Sequence, residues 1–156
     1  MIHTDIYYPE QLPWPERSGY TFRDRATFER TDMVSGRAGQ RKTFEFVPSS
    51  VSVTWVFRSD AEASLFRAWF RDQVNDGSEW FNCPLKTPEG EKHYICRFET
   101  MPEGPDLIGL CTWRATAKLE MFERPIMHDG WGNKPEWIVP GRSLLDFAMT
   151  MEWPEA

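Results

Sequence analysis

The histidines are the first residues to test for chemistry, because imidazole can bind a metal ion or move a proton near neutral pH. His3, His93 and His128 lie far apart, and none has a cysteine or carboxylate at a metal-ligand spacing such as H-E-x-x-H. The chain also lacks G-x-S-x-G, G-x-x-x-x-G-K-[ST] and G-x-G-x-x-G, the motifs of acyl transfer, phosphate-binding loops and dinucleotide binding. We therefore expect no catalytic residue, no metal ion and no cofactor.

The thiols and the clustered carboxylates have structural interpretations. Cys83, Cys96 and Cys111 are odd in number, show no C-x-x-C spacing and each fall in a predicted strand, so we interpret them as buried free thiols. Three carboxylates between residues 72 and 79 adjoin the end of a predicted helix. A solvated helix end and turn is their expected setting, since the sequence shows no environment that would make a carboxylate reactive.

Because the sequence has no catalytic motif, its function has to be inferred from the fold. Residues 51–85 are the most informative stretch for predicting that fold. Residues 51–58 alternate apolar and polar side chains, a period of two that is typical of a half-buried strand. From Ser59 the apolar residues recur every three or four positions, which predicts one amphipathic helix over about 60–75. The apolar stripe of this helix, which we assign to the core, comprises Leu65, Phe66, Trp69, Phe70 and Val74.

Both ends of this helix carry recognisable signals. Ser59 and Glu62 have the spacing of a capping box, in which each side chain accepts a hydrogen bond from the backbone amide of the other residue. The run Asn75-Asp76-Gly77 offers a glycine that can close the helix.

Further alternation predicts a mostly β domain around the helix. Predicted strands lie at 42–47, 80–85, 93–98 and 111–121, with a weaker one within 23–36. Residues 35–40 form a predicted turn-rich link and residues 86–92 a hairpin loop. Pro84 confines the strand at 80–85 to the edge or end of a sheet. The fold class that we predict is α+β, mostly β, with one packed α-helix.

Composition limits the class of partner. The net charge of -6 argues against a surface that holds nucleic acid by neutralising its phosphates. A mean hydropathy of -0.57 and the lack of a long apolar run argue against a membrane span, and residues 1–20 do not resemble a signal peptide. Aromatic residues are the outlier, at 15% with eight tryptophans, and several of these lie in Pro/Gly-rich ends without periodicity.

A run of soft motifs extends from about Ser35 to Pro125. It comprises the Ser35-Gly36-Arg37 loop with Arg41, the strand at 52–57, the capped helix with Phe66, Trp69 and Phe70, the turn Asp76-Gly77-Ser78, Trp80-Phe81, Pro84-Leu85, a hairpin with Tyr94 and Arg97-Phe98, and a last strand ending in residues 119–124. In this combination the chain resembles the minor tail and distal tail proteins of lambda-type tailed phages.

The resemblance implies a tail-tube-like fold, an antiparallel β-sandwich or barrel with one packed helix, repeated around an axis as a ring. It implies a non-enzymatic virion protein, assembled in the cytoplasm of the bacterial host, that forms an adaptor ring at the distal tail, hub or baseplate. The implied partners are other copies of the chain in hexameric or trimeric symmetry, the tail tube protein, the hub and baseplate proteins and the tape measure protein. DNA would only pass through the lumen during genome ejection, and no insertion into a membrane is implied.

We divide the chain into an extended N-terminal arm at 1–22, the β domain with its helix at 23–125, and a C-terminal extension at 126–156. Because large aromatic side chains on irregular segments usually dock onto something, we expect both arms to reach adjacent subunits or an adjacent ring. The candidate subunit contacts are Trp14, Arg37, Arg41, Lys42, Trp131, Trp137 and Trp153.

Three alternatives remain open at this point. A neck or tail-terminator ring would share the tube-like fold. A carbohydrate-binding module would use the tryptophans to stack on sugar rings, although they lie among prolines rather than on a strand face. The third alternative is a small hydrolase without any recognisable motif.

Overall fold

The computed structural model describes residues 3–34, 36–45, 47–127, 130–135 and 138. The chain divides into two units, residues 1–125 and residues 126–156. Within the described part, all strands and the α-helix belong to the first unit, and the second contains a short 3-10 helix at Trp131–Asn133. The predicted contacts Trp137 and Trp153 lie outside the described residues.

One α-helix and eight strands make up the first unit. In chain order they are β1 (Thr21–Asp24), β2 (Phe28–Asp32), β3 (Ala38–Lys42), β4 (Ser49–Phe57), α1 (Asp60–Asp72), β5 (Phe81–Thr87), β6 (Gly90–Phe98), β7 (Glu103–Leu107) and β8 (Trp113–Met121). The predicted strand-helix-strand unit at 51–85 is thus confirmed as β4, α1 and β5.

Six strands form one antiparallel sheet around β8. The order is β1-β4-β8-β6-β5, and β7 also pairs with β8. Strand β4 pairs along the whole of β8, from Ser49↔Met121 to Phe57↔Trp113. On the other edge of β8, β6 pairs with residues 119–121 and β7 with residues between 113 and 116. The sheet is sandwich-like and does not close into a barrel. The predicted α+β, mostly β fold with one helix is confirmed.

The core lies between this sheet and α1. Alternate residues of β4, from Val51 to Phe57, are fully buried, as the period of two predicts. The Trp69 ring packs against Phe81 and Phe98, with ring centroids 5.0 Å and 6.4 Å away. Leu65 is 40% exposed, so it lies at the margin of the predicted stripe rather than in the core.

The start of α1 follows the predicted cap with one difference. The Ser59 hydroxyl accepts a hydrogen bond from the Glu62 amide at 3.3 Å. The Glu62 carboxylate accepts from the amide of Arg58 at 2.8 Å, not from that of Ser59. The helix ends at Asp72, before the predicted limit of about 75, and three consecutive residues with positive φ, Asn75 to Gly77, follow it.

Residues 4–16 pack on the domain, unlike the extended arm expected over 1–22. The Asn82 amide in β5 donates to the Ile6 carbonyl at 2.8 Å, and the Tyr8 amide donates to the Asn82 carbonyl at 2.9 Å. Tyr8 and Leu12 are buried in the core. The Glu16 amide then donates to the Thr54 carbonyl in β4 at 2.7 Å, so this segment runs from the edge of β5 to β4.

Two further expectations need correction. Cys83 and Cys96 are buried free thiols as predicted, but Cys111 is exposed because β8 begins only at Trp113. The predicted loop at 86–92 shortens to a tight hairpin, because Thr87 and Gly90 already pair across β5 and β6.

Candidate assembly surfaces

The β2–β3 hairpin, residues 28–42, forms a two-stranded sheet separate from the main one. Its register runs from Phe28↔Lys42 to Asp32↔Ala38, and every residue of β2 is exposed. A lone two-stranded hairpin is marginally stable in water. Large apolar side chains are nevertheless exposed on and beside it: Phe28, Met33, Val34 and Phe44. This combination of a thin sheet and exposed apolar surface is typical of a segment that is completed by a partner.

The predicted basic contacts lie on this hairpin. Arg37 precedes β3 directly, and Arg41 and Lys42 are part of it. Residues 38–40, expected in a turn-rich link, thus belong to a strand, and the strand predicted at 42–47 overlaps it only at Lys42. All three side chains are exposed. The guanidinium of Arg41 lies 3.7 Å from the carboxylate of Glu29, its cross-strand neighbour. Gly36, with φ of 77°, supplies the left-handed conformation in the connecting turn.

The two predicted tryptophan contacts that the structure describes, Trp14 and Trp131, belong to different units. Trp14 lies between Leu12, which is buried, and Glu16, whose amide hydrogen-bonds to β4. The Trp14 side chain is 51% exposed. Trp131 lies in the 3-10 helix of the second unit and is 49% exposed. Trp14 remains a candidate contact on the first unit, beside residues that belong to its core.

A paired charge network covers one end of the solvent face of the sheet. The Arg97 guanidinium contacts Glu120 at 2.6 Å and lies 4.6 Å above the Trp80 ring. Arg25 lies between Glu99 and Glu120, at 3.7 Å and 3.9 Å. The sequence did not predict that these residues meet, because they come together only through the register that places Arg97 opposite Glu120.

The edges of the main sheet differ in how they are covered. Residues 6–8 cover part of the β5 edge, and Pro84 removes one donor from the rest. Strand β7 contains Pro105 and a register shift between Glu103 and Asp106. Strand β1 pairs with β4 through its four residues and ends the sheet on the other side. Together with the β2–β3 hairpin, β1 is therefore the part of the structure best suited to receive another strand.

The buried ionisable groups are not suited to reaction. Burial raises the pKa of the Cys83 and Cys96 thiols, which disfavours the nucleophilic thiolate. Burial likewise raises the pKa of the Tyr8 hydroxyl, which donates a hydrogen bond to the Pro13 carbonyl at 2.8 Å. Tyr8, Cys83 and Cys96 are buried because they belong to the packed core of the domain.

One cleft of the first unit, of about 560 Å³, lies beside α1 and the start of β7, with Arg67, Arg71, Met101 and Pro105 among its lining residues. Arg71 is paired with Asp72 at 2.6 Å. His93 lies against the Tyr7 ring, with 6.2 Å between centroids. Among the residues that the structure describes, no three His, Cys, Asp or Glu side chains are grouped to hold a metal ion.

The comparisons with known proteins add no relative. Neither a protein-family model, nor a curated protein, nor a solved structure matches this chain. No helix within the described ranges has both the length and the apolar character that crossing a membrane requires.

Proposed function

We propose that the protein is a structural component of a bacteriophage tail and forms a symmetric adaptor ring at the distal tail, hub or baseplate, around the DNA channel. The observation that carries the proposal is the β2–β3 hairpin. It is separate from the main sheet, and Met33 and Val34 at its turn are 56% and 109% exposed. Subunits in a closed ring can bury such a surface on a neighbour.

The residues that carry the resemblance to tail proteins supply the second support. Strand β4, the stripe of α1 and Phe81, which belong to separate motifs in the sequence, meet in one aromatic core. Phe66 packs against Trp55 at 5.2 Å, and Phe81 stacks on Phe98 at 5.1 Å. They form a self-contained body, which leaves the hairpin and Trp14 as surfaces for contact.

The charge distribution is compatible with a channel that DNA passes through. The chain carries a net charge of -6, and Arg25 and Arg97 on the sheet face lie beside Glu99 and Glu120. Proteins that hold DNA do so by neutralising phosphates with uncompensated cations. A surface whose arginines are already paired would offer DNA little to bind.

Ring formation by the purified protein tests the proposal. We expect closed rings in negative-stain images and a matching native mass. The variant M33S/V34S should remain folded by circular dichroism but stay monomeric. The matched control L110S changes a side chain that is 100% exposed outside the hairpin, and it should still form rings.

Two outcomes would contradict this reasoning. Rings formed by M33S/V34S would remove the hairpin from the interface. A wild-type protein that stays monomeric at all concentrations and binds a sugar array with quenching of tryptophan fluorescence would instead support the carbohydrate-binding alternative.

The position of the ring along the tail needs a separate measurement. Immunogold labelling of virions with an antibody to the purified protein should mark the tail tip. Labelling at the junction of head and tail would favour the neck or tail-terminator alternative.

A further inference from the structure

A groove of about 490 Å³ lies between α1 and the N-terminal segment, residues 4–16. We call it the α1 groove. Tyr7 lines one wall and Leu65 the other, and their side chains are 58% and 40% exposed. Large apolar side chains that stay open to solvent in a concave site are typical of a binding surface.

The walls of the α1 groove are held in place by hydrogen bonds. The indole of Trp69, on α1, donates to the Tyr7 carbonyl at 3.0 Å and so joins the two walls. The backbone of Asn82, in β5, exchanges hydrogen bonds with Ile6 and Tyr8 on either side of Tyr7. The groove is therefore preformed, and binding would not require its walls to be ordered first.

The charged residues of the α1 groove are acidic. Among the described residues, its lining includes the carboxylates of Asp5 and Asp72 and neither lysine nor arginine. Because Asp72 is already paired with Arg71 at 2.6 Å, Asp5 is the carboxylate better placed to attract a cation. The α1 groove thus fits an apolar surface that carries a positive charge.

The turn of the β2–β3 hairpin has this complementary composition. Met33 and Val34 are 56% and 109% exposed. The Gly36 amide donates to the Met33 carbonyl at 3.0 Å, which closes the turn, and the exposed Arg37 follows it directly. The turn therefore presents two apolar side chains beside a cation.

The hairpin is also basic within an acidic chain. Residues 28–42 contain four lysines and arginines against two acidic residues, whereas the whole chain carries a net charge of -6. The two carboxylates of the hairpin lie 3.9 Å and 3.7 Å from arginines of the same hairpin, so Arg37 adds to an excess of positive charge. Opposite charges favour contact between the hairpin and the α1 groove, and like charges disfavour contact between two hairpins.

The cleft at the start of β7 suits this turn less well. Two of its charged lining residues, Arg67 and Arg71, are cations, and only Asp76 is an anion. Arg37 would meet charges of its own sign there.

We propose that the turn of the β2–β3 hairpin of one copy occupies the α1 groove of the next copy. Met33 and Val34 cover the apolar walls of the groove, and Arg37 lies beside Asp5. Because the two surfaces differ, the contact is heterologous, and its repetition gives a ring when the rotation closes. The inference rests on the self-association in the proposed function and adds the surface that receives the hairpin.

The variant L65K tests the groove by placing a cation on its apolar wall. The side chain is 40% exposed, so L65K should stay folded by circular dichroism. We expect at least a tenfold smaller fraction of rings than in wild type, by native mass at the same concentration. The matched control L110K makes the same change outside the groove and the hairpin, and it should form rings as wild type does. Rings formed by L65K at the wild-type level would overturn the contact.

Reversing the proposed ion pair gives an independent test at two exposed side chains. R37E and D5R should each lower the fraction of rings several-fold, because each places like charges together. The double variant D5R/R37E should recover most of the loss, since it restores the pair with the charges exchanged. A double variant that assembles no better than the single ones would refute the contact between Arg37 and Asp5.

Mixing two defective variants shows which surfaces meet. L65K keeps an intact hairpin, and M33S/V34S keeps an intact groove. Each alone should be monomeric, whereas their mixture, well above the concentration at which wild type assembles, should form one-to-one dimers by sedimentation velocity. A mixture that stays monomeric while wild type forms rings would overturn the pairing of hairpin and groove but not the ring. A wild type that stays monomeric would overturn both.

Discussion

The stability lost on replacing Leu12 measures how strongly residues 4–16 are held by the domain. The Leu12 side chain is 2% exposed and belongs to the core, although it lies in a proline-rich region that the sequence suggested would reach outward. Trp14, two residues later, is 51% exposed. Leu12→Ala and Trp14→Ala therefore form a matched pair in which the smaller apolar side chain should matter more to folding.

The expected loss for Leu12→Ala follows from the carbons removed. Three buried carbons at about 0.8 kcal/mol each correspond to about 2.4 kcal/mol of transfer free energy. Leu→Ala changes in rigid cores cost about 2.7 to 5 kcal/mol because a cavity remains. A segment at the margin of the core can relax, so we expect about 2.5 kcal/mol. For a unit of about 125 residues this lowers Tm by about 10 °C.

Urea unfolding at low protein concentration, followed by circular dichroism, gives the free energy of unfolding without a contribution from assembly. Trp14→Ala should change this free energy by about 0.5 kcal/mol or less, as expected for an exposed side chain. If Leu12→Ala cost no more than Trp14→Ala, Leu12 would not be part of the core of the domain.

Three further predictions concern the same unit. A Cβ at Gly77, where φ is 92°, would lie 3.3 Å from Phe98 Cβ and 3.4 Å from the Phe70 ring, whereas one at Gly90, where φ is 116°, meets no described atom within 4 Å. G77A should therefore lower the free energy of unfolding by about 1 kcal/mol or more beyond the loss in G90A, and equal losses in urea unfolding would contradict this packing. The Ser49 hydroxyl, and then Arg124, lower the pKa of Asp24, so this carboxylate adds stability above its unfolded pKa that is lost as pH falls through the folded value. The difference in unfolding free energy between wild type and D24N should be constant above about pH 5 and shrink below about pH 4, and a difference that persists at about pH 2 would refute the assignment. In native protein, Cys111 should react rapidly with a thiol reagent while Cys83 and Cys96 react only after unfolding; C111S should remove the fast phase, and a second fast thiol would contradict the burial of the pair.

The parts of the fold that the sequence predicts are those with one buried face. Strand β4 has alternate residues at 0% exposure, and this burial produces the period of two between residues 51 and 57. The apolar stripe of α1 and its Ser59 cap can equally be predicted from the sequence, because packing on one side of a helix selects apolar residues at helical spacing. The N-terminal segment was not predicted, since Tyr8 and Leu12 are isolated anchors in a stretch held mainly by backbone hydrogen bonds, which leave no periodic mark on the sequence.

The β2–β3 hairpin was predicted only in part, as a weak strand within 23–36 and a strand at 42–47 that overlaps β3 at Lys42 alone. Every residue of β2 is exposed, and β3 is exposed or half-buried, so neither face selects apolar side chains in alternation. The residues that stay apolar there, such as Phe28, Met33 and Val34, are thus not explained by the core of their own chain. Retaining large apolar side chains on a marginal hairpin is costly for a protein that never covers them, because such surfaces favour aggregation. The exposed apolar side chains of this hairpin therefore support placing the contact surface of the proposed ring on it.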